Sequence, residues 1–466
     1  MKFWLAIIAL GLLSGCARFE PRPLAPADTA ARLEERGLAS PALRSFLEQN
    51  LRRDLAAWPS ESWDFEMLTL AALYYHPSLD VARAQWAVAR GGETTAAQRP
   101  NPTLNVTPGY NTTTFASSPW FPLTMLDMTF ETAGKRGYRR ARSAQLSEAA
   151  RLNIATVAWQ VRSNLRASLL DFLAAGKREE LLARQLALQE QIVTRLDQQA
   201  QAGAIAASES ALVRIALVKG KLDLAGAQSQ RVEARARVAE AIGVPLRALD
   251  EVKLAFDWPK EPRAADDLTS MEVRRTALQS RADILGALAE YAAAQAALQL
   301  EIAKQYPDIH LQPGYQFDQG DNKWSLGLTV ELPVFNQNQG PIAEAKARRT
   351  ESAARFNALQ SKVLAEIERA VEVFRLSASN SLALRALADA QTKRRESVAA
   401  QAAAGATDSL ELANVRVETA AVEAVRLEAQ IRLQQAFGAL EDAVQRPLDL
   451  PESVFQSALT RQPEAK

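Results

Sequence analysis

Apolar residues recur along much of the chain at spacings of three and four. One series runs through Ile154, Val157, Val161, Leu165, Leu169 and Phe172, and another through Phe356, Leu359, Val363, Ile367, Val371 and Phe374. Such steps draw a narrow stripe down a helix, the seam that coiled coils bury. Proline costs about 3 kcal/mol inside a helix, and none occurs from Leu123 to Val244 or from Ile342 to Arg446. Both stretches are rich in Ala, Leu, Glu, Gln and Arg, so they predict very long helices. Each is broken once, at Ala202-Gly203-Ala204 and at Ala404-Gly405-Ala406. Glycine among small residues suits a tight reversal between antiparallel helices. Each stretch is therefore expected to be a helical hairpin with its tip at Gly203 or Gly405.

The arms of each hairpin are unequal. Arg139 to Ala202 spans 64 residues, whereas the return from Ala204 to Ile242 has 39. At about 1.5 Å per residue the long arm reaches roughly 95 Å. A further helix must stack end to end on the short arm, and Phe65–Gln98 has the right pattern and length. In the second half Pro341–Ala404 is long, Ala406–Val444 short, and Thr269–Gln305 the filler.

A different period separates filler helix from long arm. Leu104, Val106 and Tyr110 alternate with Asn105, Thr107 and Gly109, and Leu126, Met128 and Phe130 follow the same rule. In the second half Ile309, Leu311, Tyr315 and Phe317 alternate with His310, Gln312, Gly314 and Gln316. Trp324, Leu326, Leu328, Val330 and Leu332 alternate with Ser325, Gly327, Thr329 and Glu331. Two runs per half, separated by polar turns, match the strand pattern of membrane barrels; a two-hairpin sheet on a soluble core is the other reading. Four strands cannot close a barrel, and open edges are not tolerated in lipid. If these strands span a membrane, several chains must pool them.

The halves are copies. At an offset of 205, Leu79/Ile284, Trp86/Tyr291, Pro102/Pro307 and Leu104/Ile309 pair, and Pro108-Gly109-Tyr110 recurs as Pro313-Gly314-Tyr315. At an offset of 202 the two apolar series above superimpose, with Gly203/Gly405, Arg214/Arg416 and Pro245-Leu246/Pro447-Leu448. Helical periodicity alone would not reproduce the Gly, Pro and Tyr matches.

Composition changes this picture little. The 466 residues carry 55 Lys+Arg against 54 Asp+Glu, without the basic excess expected of a nucleic-acid protein. One Cys and two His exclude an internal disulfide framework and a Cys/His-rich zinc site. No P-loop, Gly-x-Ser-x-Gly or His-Glu-x-x-His motif occurs, so no enzyme is expected. The lone Cys sits where it matters. Met1-Lys2 is a basic start, Phe3 to Leu13 an apolar run too short to span a bilayer, and Leu13-Ser14-Gly15-Cys16 follows. This run is similar to a bacterial lipobox. The resemblance implies that residues 1–15 are a signal peptide and Cys16 the lipid attachment site, with Ala17 in place of the Asp of inner-membrane retention.

Lipobox, duplicated helix–strand–strand–long helix–helix unit, the segment Leu332-Pro333-Val334-Phe335-Asn336 ending at Gly340, and the hairpin glycines together resemble the TolC-like outer-membrane factors. Glu131-Thr132-Ala133-Gly134-Lys135-Arg136-Gly137 is similar to the Gly-Lys-Arg segment of members paired with cobalt–zinc–cadmium pumps. The fold class implied is mainly α with a small β part. A homotrimer would build a 12-stranded outer-membrane β-barrel continuous with a periplasmic α-helical barrel. The resemblance implies an efflux duct that receives cargo from an inner-membrane pump of the resistance-nodulation-division type through a periplasmic adaptor, with metal cations as one cargo class. No cofactor is implied beyond the lipid on Cys16. The alternative is a periplasmic coiled-coil lipoprotein acting as adaptor or scaffold.

The expected organisation is an N-terminal equatorial segment (16–64), repeat 1 (65–245, strands about 103–131, tip about 203), a linker (246–268), repeat 2 (269–446, strands about 308–333, tip about 405) and a tail (447–466). In the family, carboxylates six and nine positions past the tip glycine ring the entrance. Glu411 keeps the first, Asn414 has lost the charge of the second, and Glu209 answers Glu411 in repeat 1. Threefold symmetry would make each Glu a ring able to attract cations. Asp408 is read as a helix cap. Ala202, Gly203, Ala204, Ala404, Gly405, Ala406 and Thr407 are the expected adaptor contact. Lys135, Arg136, Arg139, Arg140 and Arg142 cluster where strand gives way to helix, at the level of lipid headgroups or as a solvated helix start. His310 is expected on the luminal face, and His76 near a helix start.

Overall fold

A computed structural model describes residues 18–112, 118–250, 252–256, 271–407 and 409–446. Helices α1 (Pro26–Glu34) and α2 (Pro41–Leu51) each begin with proline, whose missing N–H is not needed in a first turn. Strand β1 (Ser62–Trp63) leads into α3 (Phe65–Tyr75) and α4 (Pro77–Ala97). Strands β2 (Thr103–Thr107) and β3 (Leu123–Phe130) follow, then α5 (Lys135–Gln201) and α6 (Ala207–Ile242). After a 3-10 turn and β4 (Lys253–Leu254) the series returns as α7 (Met271–Ser280), α8 (Ala282–Ala303), β5 (Ile309–Asp318), β6 (Asp321–Val330), α9 (Gln339–Ala403) and α10 (Ser409–Val444).

The long arms have 67 and 65 residues, about 100 Å each. They stop at the two glycines. Gly203 and Gly405 both have φ of +73°, a conformation that costs an L side chain about 1–2 kcal/mol. Gly405 N–H donates to Ala402 O at 3.1 Å and Ala406 N–H to Gln401 O at 2.9 Å, which closes the last helical turn. Gly203 and Ala204 repeat the pattern on Ala200 and Gln199. One local rule thus sets both reversals.

The filler helices are not continuous, as Phe65–Gln98 and Thr269–Gln305 were expected to be. In the first, His76 is extended (ψ 124°) because Pro77 disfavours the helical region for the residue before it. His76 Nδ1 then accepts from Ser78 N–H at 3.3 Å and caps α4. In the second the break falls at Arg281, with no proline to cause it. Arg281 Nη1 instead donates to Ala443 O at 2.6 Å, while Nη2 and Nε reach Asp283 at 2.6 and 3.0 Å. The side chain thus occupies one carbonyl that the end of α10 leaves open. Arg36 does the same in repeat 1, donating to Tyr75 O and Gly243 O at 2.7 and 3.1 Å.

Long arm α5 is the spine. It packs against α4 and α6 on one side and α8 and α10 on the other, and α9 packs on α8 and α10. The side-by-side order is therefore α4 with α6, then α5, then α8 with α10, then α9. Two apolar cores fix the hairpins near their shared level. One joins α2, α3, α5 and α6 through Leu47, Leu68, Leu165 and Val238; the other joins α9 and α10 through Val363, Phe374 and Phe437. The N-terminal segment meets the linker where β1 pairs with β4 in parallel. The four remaining strands form one antiparallel sheet in the order β2-β3-β5-β6.

Candidate functional site

The sheet has two chemically distinct faces, because side chains directly opposite in a ladder share a face. On one, Phe130, Ile309 and Val330 lie abreast, as do Met128, Leu311 and Leu328, and Leu104 stands opposite Leu126. This face is open: Trp324 is 81% exposed, and Leu326, Leu328 and Leu104 are also exposed. Aromatic pairs mark its far end, with Tyr315 on Trp324 at 4.8 Å and Tyr110 on Trp120 at 4.9 Å between ring centroids. The glycine of the repeated Pro-Gly-Tyr is closely packed in both halves. A β-carbon at Gly109 would fall 2.3 Å from the Phe121 ring, and one at Gly314 2.6 Å from Ser325 Oγ.

The opposite face is polar. Thr129, His310 and Thr329 lie abreast, and His310 Nδ1 is 3.0 Å from Asp127 Oδ1. Gln312 Nε2 donates to Asp127 Oδ2 at 3.2 Å, and Thr329 Oγ1 to Gln312 Oε1 at 3.3 Å. His310 thus sits where alternation places it, on the face that would line a lumen. Among the described residues no group of three or more His, Cys, Asp or Glu could hold a metal ion. No helix among them is long and apolar enough to cross a membrane.

At the other end of the long arms, Glu411 lies exposed in the first turn of α10 and accepts a hydrogen bond from Thr407 Oγ1. Asn414 is exposed one turn on, and Glu209 falls in the first turn of α6. Ala202, Gly203, Ala204, Ala404, Gly405 and Ala406 form the exposed caps, with Thr407 half-buried beside them. Asp408 and Cys16 lie outside the described residues.

The basic cluster is largely committed to the chain's own architecture. Lys135 is buried, and its Nζ donates to Asp308 Oδ1 at 2.7 Å. Arg139 pairs with Glu131, and Arg136 Nε donates to Ala97 O at 2.8 Å. These bonds tie the start of α5 to α4 and β5. Arg140 and Arg142 alone of the five stay exposed.

One cluster is not foreshadowed by the motifs. Between α5 and α10, Glu441 Oε2 accepts from Arg162 Nη2 at 3.1 Å and from Arg166 Nη1, all three buried. Asp442 next to it accepts from Trp159 Nε1 at 3.0 Å and Ser163 Oγ at 2.5 Å. Burial pushes the Asp442 carboxyl above its ordinary range, against the opposing pull of Ser163 and Arg162. Gly438 leaves room for this, since a β-carbon there would lie 3.0 Å from Arg166 Nε.

Comparison with known proteins agrees with this geometry. The chain is 24% identical over 223 residues to the cobalt-zinc-cadmium resistance protein CzcC of Cupriavidus metallidurans, covering 47% of this chain and 52% of that one. It is 27% identical over 210 residues to the pyoverdine export outer membrane protein OpmQ of Pseudomonas aeruginosa, covering 43% and 42%. The matched part thus spans about half the length of these relatives. No family model matches. The structure of the outer-membrane channel OprN superimposes with a TM-score of 0.68 at 18% identity, covering 92% of this chain and 98% of that one.

The chain has the fold of the TolC-like outer-membrane channels. In a channel fold the two faces of the sheet become outside and inside. The helical tips become the end farthest from the sheet. The buried Arg–Glu cluster joins the two repeats within one chain. Its sequence signal is slight: Arg162 and Arg166 flank the Val161–Leu165 stripe and look like solvated helix-face residues.

Proposed function

We infer that the chain is the outer-membrane duct of a tripartite efflux system. Three copies close twelve strands into a barrel in the outer membrane, and their helices continue as a tunnel through the periplasm. One observation carries this reading. An open, apolar sheet face backs a polar one, with edges β2 and β6 that pair with no described strand of the chain, at one end of helices about 100 Å long. A soluble scaffold has no use for such a face; a barrel built from several chains does.

The remaining assignments follow from position. Cys16 carries the lipid that tethers the mature N-terminus. Glu411, Asn414 and Glu209 ring the periplasmic entrance, and Ala202 to Ala204 with Ala404 to Thr407 form the small-residue caps on which the periplasmic adaptor seats, with an inner-membrane pump of the resistance-nodulation-division type beyond it. The cargo class is metal cations, which the likeness to CzcC supports. A siderophore-type cargo is the second reading, favoured by the likeness to OpmQ.

The test is extraction. With Cys16→Ala removing the anchor, the protein is expected to stay with outer membranes through high salt and carbonate, and to leave only with detergent. Release by carbonate would reject the barrel and leave a periplasmic adaptor or scaffold.

A further inference from the structure

The polar face of the sheet carries one imidazole, and a carboxylate on the neighbouring strand orients its ring. His310 on β5 stands with Nδ1 3.0 Å from Oδ1 of Asp127 on β3, and Thr129 Oγ1 lies farther off at 3.4 Å. Gln312 Nε2 donates to the other carboxylate oxygen at 3.2 Å, and Thr329 Oγ1 donates to Gln312 Oε1 at 3.3 Å. A carboxylate only accepts, so in the neutral ring this bond puts the proton on Nδ1. Nε2, across the ring, keeps its lone pair. Among the described residues no group bonds to Nε2, and the His310 side chain is 37% exposed.

The fold does not require this pair. His310 is answered in repeat 1 by Asn105, 205 positions back, and Asp127 in repeat 2 by Gly327, 200 positions on. The same two ladder positions thus carry neutral residues in the other half. The further charges that alternation puts on this face, Asp318, Asp321 and Lys323, lie at the far end of the β5–β6 hairpin, where Lys323 pairs with Asp318 at 2.7 Å. A pair half open to water adds little stability. A carboxylate that fixes the tautomer of an imidazole, raises its basicity and leaves one nitrogen free is the arrangement that metal-binding histidines use. Imidazole suits transition-metal ions such as zinc, whereas magnesium and calcium prefer oxygen.

We propose that His310 Nε2, oriented by Asp127, is a binding point on the lumen wall for a divalent transition cation of the zinc and cobalt class. The proposal rests on the metal-duct reading above and deepens it: the polar face lines the lumen, and each copy of the chain supplies one such point. A closed structural site takes all four of its ligands from the protein. One nitrogen, with water completing the shell of the ion, makes a weak site that exchanges readily, and brief residence at the wall suits an ion in transit. Asp127 is a positioning residue here, since it touches the imidazole and not the ion.

Carbethoxylation by diethyl pyrocarbonate, read by mass spectrometry on the full-length protein in lipid vesicles, tests this, because the chain has only two His. The reagent attacks an unprotonated ring nitrogen. His310 is expected to react, and to be protected by zinc chloride but not by magnesium chloride. His76, whose Nδ1 lies 2.7 Å from Ser78 Oγ, should be indifferent to both salts. D127N should raise the zinc concentration that half-protects His310 by about 10–100-fold. D321N, which removes a carboxylate from the same face without touching the ring, should leave it unmoved. An unreactive His310, equal protection by magnesium, equal protection of His76, or an unmoved midpoint in D127N each overturns the site. Labelling of S325C and L326C with a charged maleimide on the same vesicles tests the channel reading separately. If S325C alone is labelled, the polar face is in water and the channel reading stands even where the zinc result fails. Any other labelling pattern removes the assignment of faces, and the site with it.

Discussion

Glu441→Gln probes what joins the two repeats. Glu441 is 0% exposed, and it is the acceptor for both Arg162, 1% exposed, and Arg166. Aromatic rings wall the site: Trp159 and Phe65 lie 4.9 and 5.1 Å from the Arg162 guanidinium, and Phe437 and Phe256 5.1 and 5.8 Å from that of Arg166. Neutralising the acid leaves two guanidinium charges where bulk water does not reach. Removing one partner of a buried pair costs about 3–5 kcal/mol; the ring contacts are present before and after the change and cancel. A net loss of about 3 kcal/mol corresponds to roughly a hundredfold in an opening equilibrium, at about 1.4 kcal/mol per tenfold. Amide hydrogen exchange reads this locally. Protection in α5 near Arg162 and in α10 near Glu441 should fall about a hundredfold, in line with that energy. Glu428→Gln is the control, because the Glu428–Arg178 pair spans the same helices but its side chains are 40% and 39% exposed; such a pair is worth about 0–1 kcal/mol. Replacing Arg162, Arg166 and Glu441 together by Leu, Met and Met should recover most of the protection, since apolar packing often equals a buried ion pair. If Glu441→Gln leaves protection within about twofold of wild type, an opening free-energy change under about 0.5 kcal/mol, the cluster does not hold the repeats together.

Three further outcomes are expected. Leu326→Lys on the apolar face of β6 should cost about 2–4 kcal/mol of barrel stability in lipid, whereas Thr329→Lys on the polar face should be tolerated; urea unfolding in vesicles compares them, and equal losses would remove the assignment of faces. Asp442 is raised above its ordinary value of 3.8 by burial, so the stability it contributes is complete below that value and is lost as pH rises through the folded-state value. Asp442→Asn should therefore flatten the decline in melting temperature between mildly acidic and neutral pH, and an unchanged slope would show that Asp442 is not its source. Glu411→Ala should reduce the cation preference of single channels in planar bilayers, and identical selectivity would take Glu411 out of the entrance.

Much of this fold is legible in the sequence because it is periodic. A stripe spaced by threes and fours, a glycine that only αL geometry explains, and alternation over ten residues each report one local physical requirement, and duplication states each of them twice. Where the structure departs, the cause is not periodic. The break at Arg281 coincides with a side-chain bond to a single carbonyl at the end of α10, with no proline to announce it. The committed role of Lys135 depends on Asp308, 173 residues away, which only the fold brings near.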